Sequence, residues 1–412
     1  MGRSRRNIRG RRINIKGGSK QIIAILAVII ILICISVLSV KTYKDKTIIL
    51  SEEALNNEIF NANIELTEEE KAKIESEIQI DTSITITAIG DVLCERGILN
   101  SVQSKEYNFS DIFSKIKKYT SYSDVSLAPI ETNFVNQNYS GRINYNSPKS
   151  LANEMKNIGI DIAFTSNNHS LDYGINGVKE TNTYFKEIGI DVIGSKSDEN
   201  ESNILIKEYR NMKIAFLSYT YGTNKKENGF ENYINIISKE NIQKDIAEAK
   251  QQGAEYIIAS MHWGNAIGSR LTEEQIELSN LLVDSGVDII LGNHPSSLQK
   301  METRINKEGK DVLIVYSLGN FMSSESYQNS NLSMILNIEL IKLAEDNTVY
   351  LNKVTYVPVY MHDNGINSEN RYQILDIKEE IANYENGMQN VSEKVYNKLK
   401  QGLLKIKELI NG

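Results

Sequence analysis

The chain is 412 residues long, enough for one large domain or two ordinary ones, and its 41% hydrophobic and 24% charged content is that of a globular protein. With only 4 prolines and few low-complexity runs, the composition excludes a wholly disordered chain. Eight cations and no acid in residues 1–20 lift a body of formal charge −15 to the total of −7; a body that acidic is a poor general partner for nucleic acid.

The basic tail finds its explanation in the adjoining segment. Residues 21–40, from Gln21-Ile22-Ile23 to Ser39-Val40, carry no charge, and about 20 apolar residues suffice for a helix to cross a ~30 Å hydrocarbon layer. Cations before the span place the N-terminus in the cytoplasm and everything after Lys41 outside. A cleaved signal peptide is the competing reading, but Ser36-Val37-Leu38 and Ser39-Val40-Lys41 both lack the second small residue of a cleavage site. The expected organisation is therefore a cytoplasmic tail at 1–20, a single-pass anchor at 21–40 and a polar, acidic stalk at 41–82. Thr67 and Glu70 could cap a short helix in that stalk. With Cys34 inside the span and Cys94 beyond it, the two cysteines do not read as a disulfide pair.

From residue 83 to about 360 short β-rich runs alternate with amphipathic helices, the pattern of an α/β domain. Predicted strands are Ile84–Ile89, Val125–Pro129, Ile162–Thr165, Ile190–Ile193, Ile214–Tyr219, Tyr256–Met261, Val287–Leu291 and Val312–Tyr316, with later ones at Met334–Leu340 and Val349–Tyr356. Predicted helices include Ile242–Gln251 and Glu273–Ser285. Residues 361–412 read as a helical extension, with Val395, Leu399, Leu403, Ile406 and Ile410 at helical spacing.

The chemistry collects where polar residues end these strands. Gly90-Asp91, Glu131-Thr132-Asn133, Asn167-Asn168-His169, His262-Trp263-Gly264, Asn293-His294-Pro295 and Ser317-Leu318-Gly319-Asn320 each follow a strand. In open α/β sheets the carboxyl ends of strands are where sites are built. Carboxylate, amide oxygen and imidazole together suit a divalent ion such as Mn, Zn or Fe rather than a thiolate site. Singly, each residue has a plain structural reading: a turn at Gly90-Asp91, a core histidine at His262, a packing indole at Trp263.

These blocks, in this order, resemble the CapA (poly-γ-glutamate capsule synthesis) family. Ala88-Ile89-Gly90-Asp91 looks like its opening Gly-Asp motif, and Pro129-Ile130-Glu131 like its Asn-Leu-Glu element. Asn167-Asn168-His169-Ser170-Leu171-Asp172-Tyr173-Gly174 is very close to its Asn-Asn-His-x-x-Asp-x-Gly signature. The family is similar to calcineurin-like metallophosphatases, so the resemblance implies a four-layer α/β/β/α sandwich. It also implies a role in synthesis or export of a surface polymer, alongside other capsule-synthesis membrane proteins and with an anionic polymer as substrate.

Residue by residue, the resemblance makes Asp91, Glu131, Asn168, His262 and His294 metal ligands, with Asp91 and His169 in catalysis. It places Asn167, Asp172, Trp263 and Asn320 against substrate. Two positions depart from the family pattern: Ala266 stands where a Glu usually follows His-Trp-Gly, and Ser296 stands where His-Pro is usually followed by His. A methyl group cannot coordinate and a serine hydroxyl is a weak ligand, so the departures leave three readings open. These are a metal-dependent enzyme of polymer synthesis, a non-catalytic assembly subunit, and a phosphoesterase of unrelated substrate.

Overall fold

A computed structural model describes residues 80–325, 327, 329–344 and 346–412. The basic tail, the apolar span and the stalk up to residue 79 lie outside them. Among the described residues no helix is long and apolar enough to cross a membrane.

The chain opens with β1 (Ile80–Ala88), β2 (Asp91–Val92), helices α1 (Arg96–Gln103), α2 (Ser110–Phe113) and α3 (Lys117–Thr120), then β3 (Val125–Pro129). A small hairpin, β4 (Ser140–Arg142) and β5 (Asn144–Asn146), leads to α4 (Lys149–Asn157), β6 (Ile162–Phe164), α5 (Gly174–Glu187) and β7 (Asp191–Ile193). There follow β8 (Leu205–Tyr209), β9 (Met212–Thr220), α6 (Lys239–Gln251), β10 (Tyr256–His262), α7 (Glu273–Ser285), β11 (Ile289–Asn293), β12 (Met301–Ile305), β13 (Asp311–Val315) and β14 (Asn320–Met322). Long strands β15 (Leu332–Leu343) and β16 (Val349–Asp363), then β17 (Tyr372–Asp376), α8 (Ile377–Glu385) and α9 (Glu393–Asn411), complete it.

Two sheets result. One has the order β17-β16-β15-β1-β3-β6-β7, the other β12-β13-β11-β10-β9-β8. In the first, β1, β3, β6 and β7 run parallel; in the second, β9, β10, β11 and β13 do. The period of two along each strand explains how they stack. Ile84 and Ile86 of β1, Leu127 of β3, Phe216 of β9, Ile258 of β10 and Leu291 of β11 point into one shared cluster between the sheets.

The alternate residues face helices. Ala128, Ala163 and Ile335 pack on Ile98, Phe113 and Met155 of α1, α2 and α4. Leu217, Ala259 and Ile290 pack on Ile242, Ile246 and Leu282 of α6 and α7. The packing order is thus helices, sheet, sheet, helices, a mixed α/β fold. Each fully buried Ile or Phe contributes about 1.5–3 kcal/mol to it.

The Glu273–Ser285 helix forms over the residues expected from the sequence. It starts at a capping box in which Thr272 accepts from the Gln275 N–H and Gln275 reaches back, and it stops at Gly286, whose φ of 97° is left-handed. The segment after residue 360 is not helical throughout. Tyr372–Asp376 adds an antiparallel strand to the edge of the first sheet, pairing Leu375 with Tyr360, before α8 begins at the Asp376 cap. Beyond it, Leu399 and Ile406 of α9 bury themselves in the inter-sheet core.

Candidate metal centre

Parallel pairing sets the polar strand ends side by side. In the second sheet His262 is in register with Thr220 on one side and Asn293 on the other. In the first, the ends of β1, β3 and β6 carry Asp91, Glu131 and Asn168. Asp91 starts β2, which pairs with Asn320 of β14. All are buried: Asp91 is 1% exposed, Glu131 4% and His262 1%.

His262 is the hub. Its Nδ1 is 2.7 Å from Asn293 Oδ1, and its Nε2 is 2.7 Å from Asn168 Oδ1. Asn293 is held in that orientation because its amide nitrogen donates to Ser260 Oγ at 2.8 Å. A neutral imidazole has one proton for two nitrogens. With Nδ1–H given to Asn293, the Nε2 lone pair faces Asn168 Oδ1, an opposition that a bound cation relieves. Burial first, then the neighbouring His294, holds the His262 pKa well below its ordinary value, so a proton is disfavoured.

Glu131 Oε1 lies 3.3 Å from His262 Nδ1 and has no hydrogen-bond partner. One atom each of Glu131, His262 and His294 lies within 4.8 Å of the others, a cluster that could hold a metal ion. The donors therefore fit a divalent cation on their own chemistry: an orphaned carboxylate oxygen, an imidazole lone pair and an amide oxygen facing it.

His294 reaches this position through strained backbone. Its φ is 88°, a left-handed conformation costing about 1–3 kcal/mol in a non-glycine residue. Asp91 Oδ2 pins it by accepting the His294 N–H at 2.8 Å, and the imidazole lies 4.5 Å from that of His262, centroid to centroid.

His169 forms the other wall. Its Nδ1 meets Asp172 Oδ2 at 2.8 Å, and its ring packs edge-on against Tyr145, centroids 4.3 Å apart. Asp172 also accepts the Tyr145 N–H, which fixes the carboxylate. Asn167, expected against substrate, instead ties the loop: its side chain accepts from His169 N–H and donates to Ile130 O. Trp263 is not in the pocket. On a strand, neighbours face opposite ways. With His262 turned to the site, the indole is fully buried in the helix-side core and donates to Tyr316 O at 2.9 Å.

Sequence reasoning misses three residues around the pocket. Tyr221 stacks on His262 at 6.0 Å and tilts over His294 at 5.0 Å, and the charges of Glu325 and Glu95 help to raise the pKa of Glu131. Tyr221 carries a signal, since it follows the polar end of a strand as Asn168 does; the two glutamates sit in loops with no pattern.

Burial dominates the electrostatics. It pushes the Asp91 carboxyl up to about 7, only partly offset by the His294 N–H, and moves Glu131 well above the carboxylate range, with the charge of Asp91 next in weight. It pushes His294 down to about 4. At neutral pH both imidazoles are thus deprotonated, and the protons a cation must displace sit on carboxyls. A group with pKa near 7 that must ionise for binding costs about tenfold in apparent affinity between pH 8 and pH 6. Calorimetric Mn(II) titrations should show at least that weakening, with proton release. Affinity that stays level over this range would rule the carboxyls out as ligands.

Residues 85–325, more than half of the chain, match the model of the family described as bacterial capsule synthesis protein PGA_cap. Among curated proteins the chain is similar to the capsule biosynthesis protein CapA of Bacillus anthracis, 26% identical over 145 residues (34% of each chain). It is also similar to the PGA biosynthesis protein CapA of Bacillus subtilis (strain 168), 31% identical over 97 residues (24% of each chain). The chain spans about a third or less of the length of these relatives. Among solved structures it is similar to a hypothetical protein from Thermus thermophilus (TM-score 0.41, 13% identity, 67% of this chain and 98% of that one). A novel phosphatase from Mycoplasma pneumoniae gives a TM-score of 0.39 at 15% identity, over 68% of this chain and 94% of that one.

Proposed function

The chain belongs to the bacterial capsule synthesis protein PGA_cap family, and from that premise we propose that it is a membrane-anchored, extracytoplasmic protein acting through a metal-dependent, metallophosphatase-like site in synthesis or export of a surface polymer such as poly-γ-glutamate. One observation carries the reading: the strand-end pocket in which Glu131, His262 and His294 converge, with the buried Glu131 Oε1 left without a hydrogen-bond partner. The eight cations before the apolar span at 21–40 support the anchor.

In this reading Asp91, through its unpartnered Oδ1, with Glu131, Asn168, His262 and His294 would hold the ion, which would supply Lewis-acid polarisation of a carbonyl or phosphoryl group. The remaining work belongs to the chain. Asp172 fixes His169 through Nδ1 and turns Nε2, which lies 3.4 Å from the Asn224 amide nitrogen, to the side where it can accept or deliver a proton at the reacting group. Asp91 holds the His294 backbone in its left-handed turn. Tyr221, 44% exposed over the two imidazoles, offers a ring face at the mouth.

A second reading, an assembly subunit that binds polymer without chemistry, is favoured by Ala266 and Ser296. Replacement of the chain in its own cell by His169→Ala decides between them. Catalysis through this imidazole predicts a loss of about 100-fold in surface-polymer synthesis rate at unchanged protein level. Undiminished polymer would establish the binding role.

A further inference from the structure

Residues 221–227, which follow β9, cross from the strand ends of one sheet to those of the other. At the start the Tyr221 N–H donates to His262 O at 3.0 Å, and three residues on the Asn224 N–H donates to Asn168 O at 2.7 Å. Both ends are held. Thr220 Oγ1 donates to Gly222 O at 2.9 Å, and Glu227 Oε2 accepts the Ile175 N–H at 2.8 Å. That carboxylate caps α5, which has no side-chain cap and no acid in its first turn. It comes so close that a Cβ on Gly174, whose φ is 69°, would stand 2.7 Å from Glu227 Oε2. A segment tied at both ends and in the middle is a fixed part of the pocket mouth, not a gate.

What it presents there is polar and cationic. Asn224 Nδ2 lies 3.4 Å from His169 Nε2 and 3.5 Å from Nδ1, so the amide sits against the imidazole. The next side chain, Lys225, donates from its ammonium to Asp172 O and stands 5.9 Å from the centre of the Tyr173 ring. Its partner is a neutral carbonyl, and among the described residues neither Lys225 nor Lys226 forms an ion pair. Behind them Asp91, Glu131 and Asp172 are buried, and the ion-pair partners of Glu131 and Asp172 are histidines. Two unpaired cations thus rim a pocket whose carboxylates repel an anion, and they are what an anionic chain would meet on entry. Residues 221–227 contain no arginine, so the planar fork that grips phosphate is missing, and two compact single charges suit the spaced carboxylates of a polyacid.

We propose that Lys225 and Lys226 are the specificity-determining residues of this pocket, recognising carboxylates of a polyacid chain while the Asn224 contact sets them beside His169. The inference rests on the surface-polymer reading above and names the substrate class. The full-length chain is titrated calorimetrically with a γ-linked glutamate oligomer and, separately, with inorganic polyphosphate, beside Lys225→Met, Lys225→Arg and Lys226→Met. Mn(II) affinity and thermal melting are measured for each.

Both methionine variants should weaken the glutamate oligomer at least about tenfold, the effect of losing one hydrogen bond to a charged group. Lys225→Arg should recover most of that loss, with Mn(II) affinity and melting unchanged throughout. Native affinity should fall as salt is raised, and less steeply in the methionine variants. Equal oligomer binding by native chain and both methionine variants overturns the proposal and leaves the metal-dependent reading standing. Binding lost only together with the folded state in Lys225→Met, and unchanged in Lys226→Met, assigns Lys225 to holding the Asp172 loop and also overturns it. Polyphosphate bound more tightly than the glutamate oligomer overturns the carboxylate class. Oligomer binding that depends on both lysines in a chain that takes up no Mn(II) supports the proposal and removes the metal-dependent reading.

Discussion

A His262→Ala variant is expected to bind Mn(II) or Zn(II) at least about 100-fold more weakly than the native chain and to be about 2–4 kcal/mol less stable without metal. Even partners one shell removed from a metal cost 10–100-fold when deleted, so a direct ligand sets at least the upper end. The stability loss comes from the amides around the ring. Asn168 and Asn293 both direct Oδ1 at it from 2.7 Å, and truncation leaves the Asn293 oxygen buried without its donor and a ring-sized void beside β11. Chelator competition measures the first effect and urea denaturation the second. A variant with native affinity would remove His262 from the ligand set.

Gly292→Ala should destabilise the domain by more than about 3 kcal/mol and lower metal binding with it. Gly292 lies within β11, and its backbone is packed so closely on β13 that a Cβ would stand 2.0 Å from Tyr316 O and 2.7 Å from Trp263 Nε1. Neither neighbour can retreat freely. Tyr316 O accepts the Trp263 indole N–H, and both rings are buried. Added volume against fixed backbone forces strand separation rather than side-chain rotation. The displaced strand carries Asn293 and His294, so metal binding falls for the same reason. An unchanged denaturation midpoint would contradict the packing described.

Much of this is legible in the chain. The period-two runs place the parallel strands to within four residues at every end, and the change from apolar strand to polar terminus marks Asp91, Glu131, Asn168, His262 and His294 as a set. Side-chain direction is readable too: Trp263 follows His262 on the same strand end, so the two residues face opposite layers, against the expectation that both meet the pocket. What the sequence cannot show is tertiary. Glu95 and Glu325 are 230 residues apart in loops, and only the pairing of two short strands, β2 and β14, brings them to Glu131. The strand Tyr372–Asp376 is five residues long and leads directly into a helix, so its pattern merges with the helical one.

The most direct test is anomalous X-ray diffraction from crystals of the chain soaked in Mn(II). The strand-end account predicts a strong peak bonded to Glu131, His262 and His294. Full refinement with no peak among those three side chains, or with the metal bound elsewhere, would contradict it.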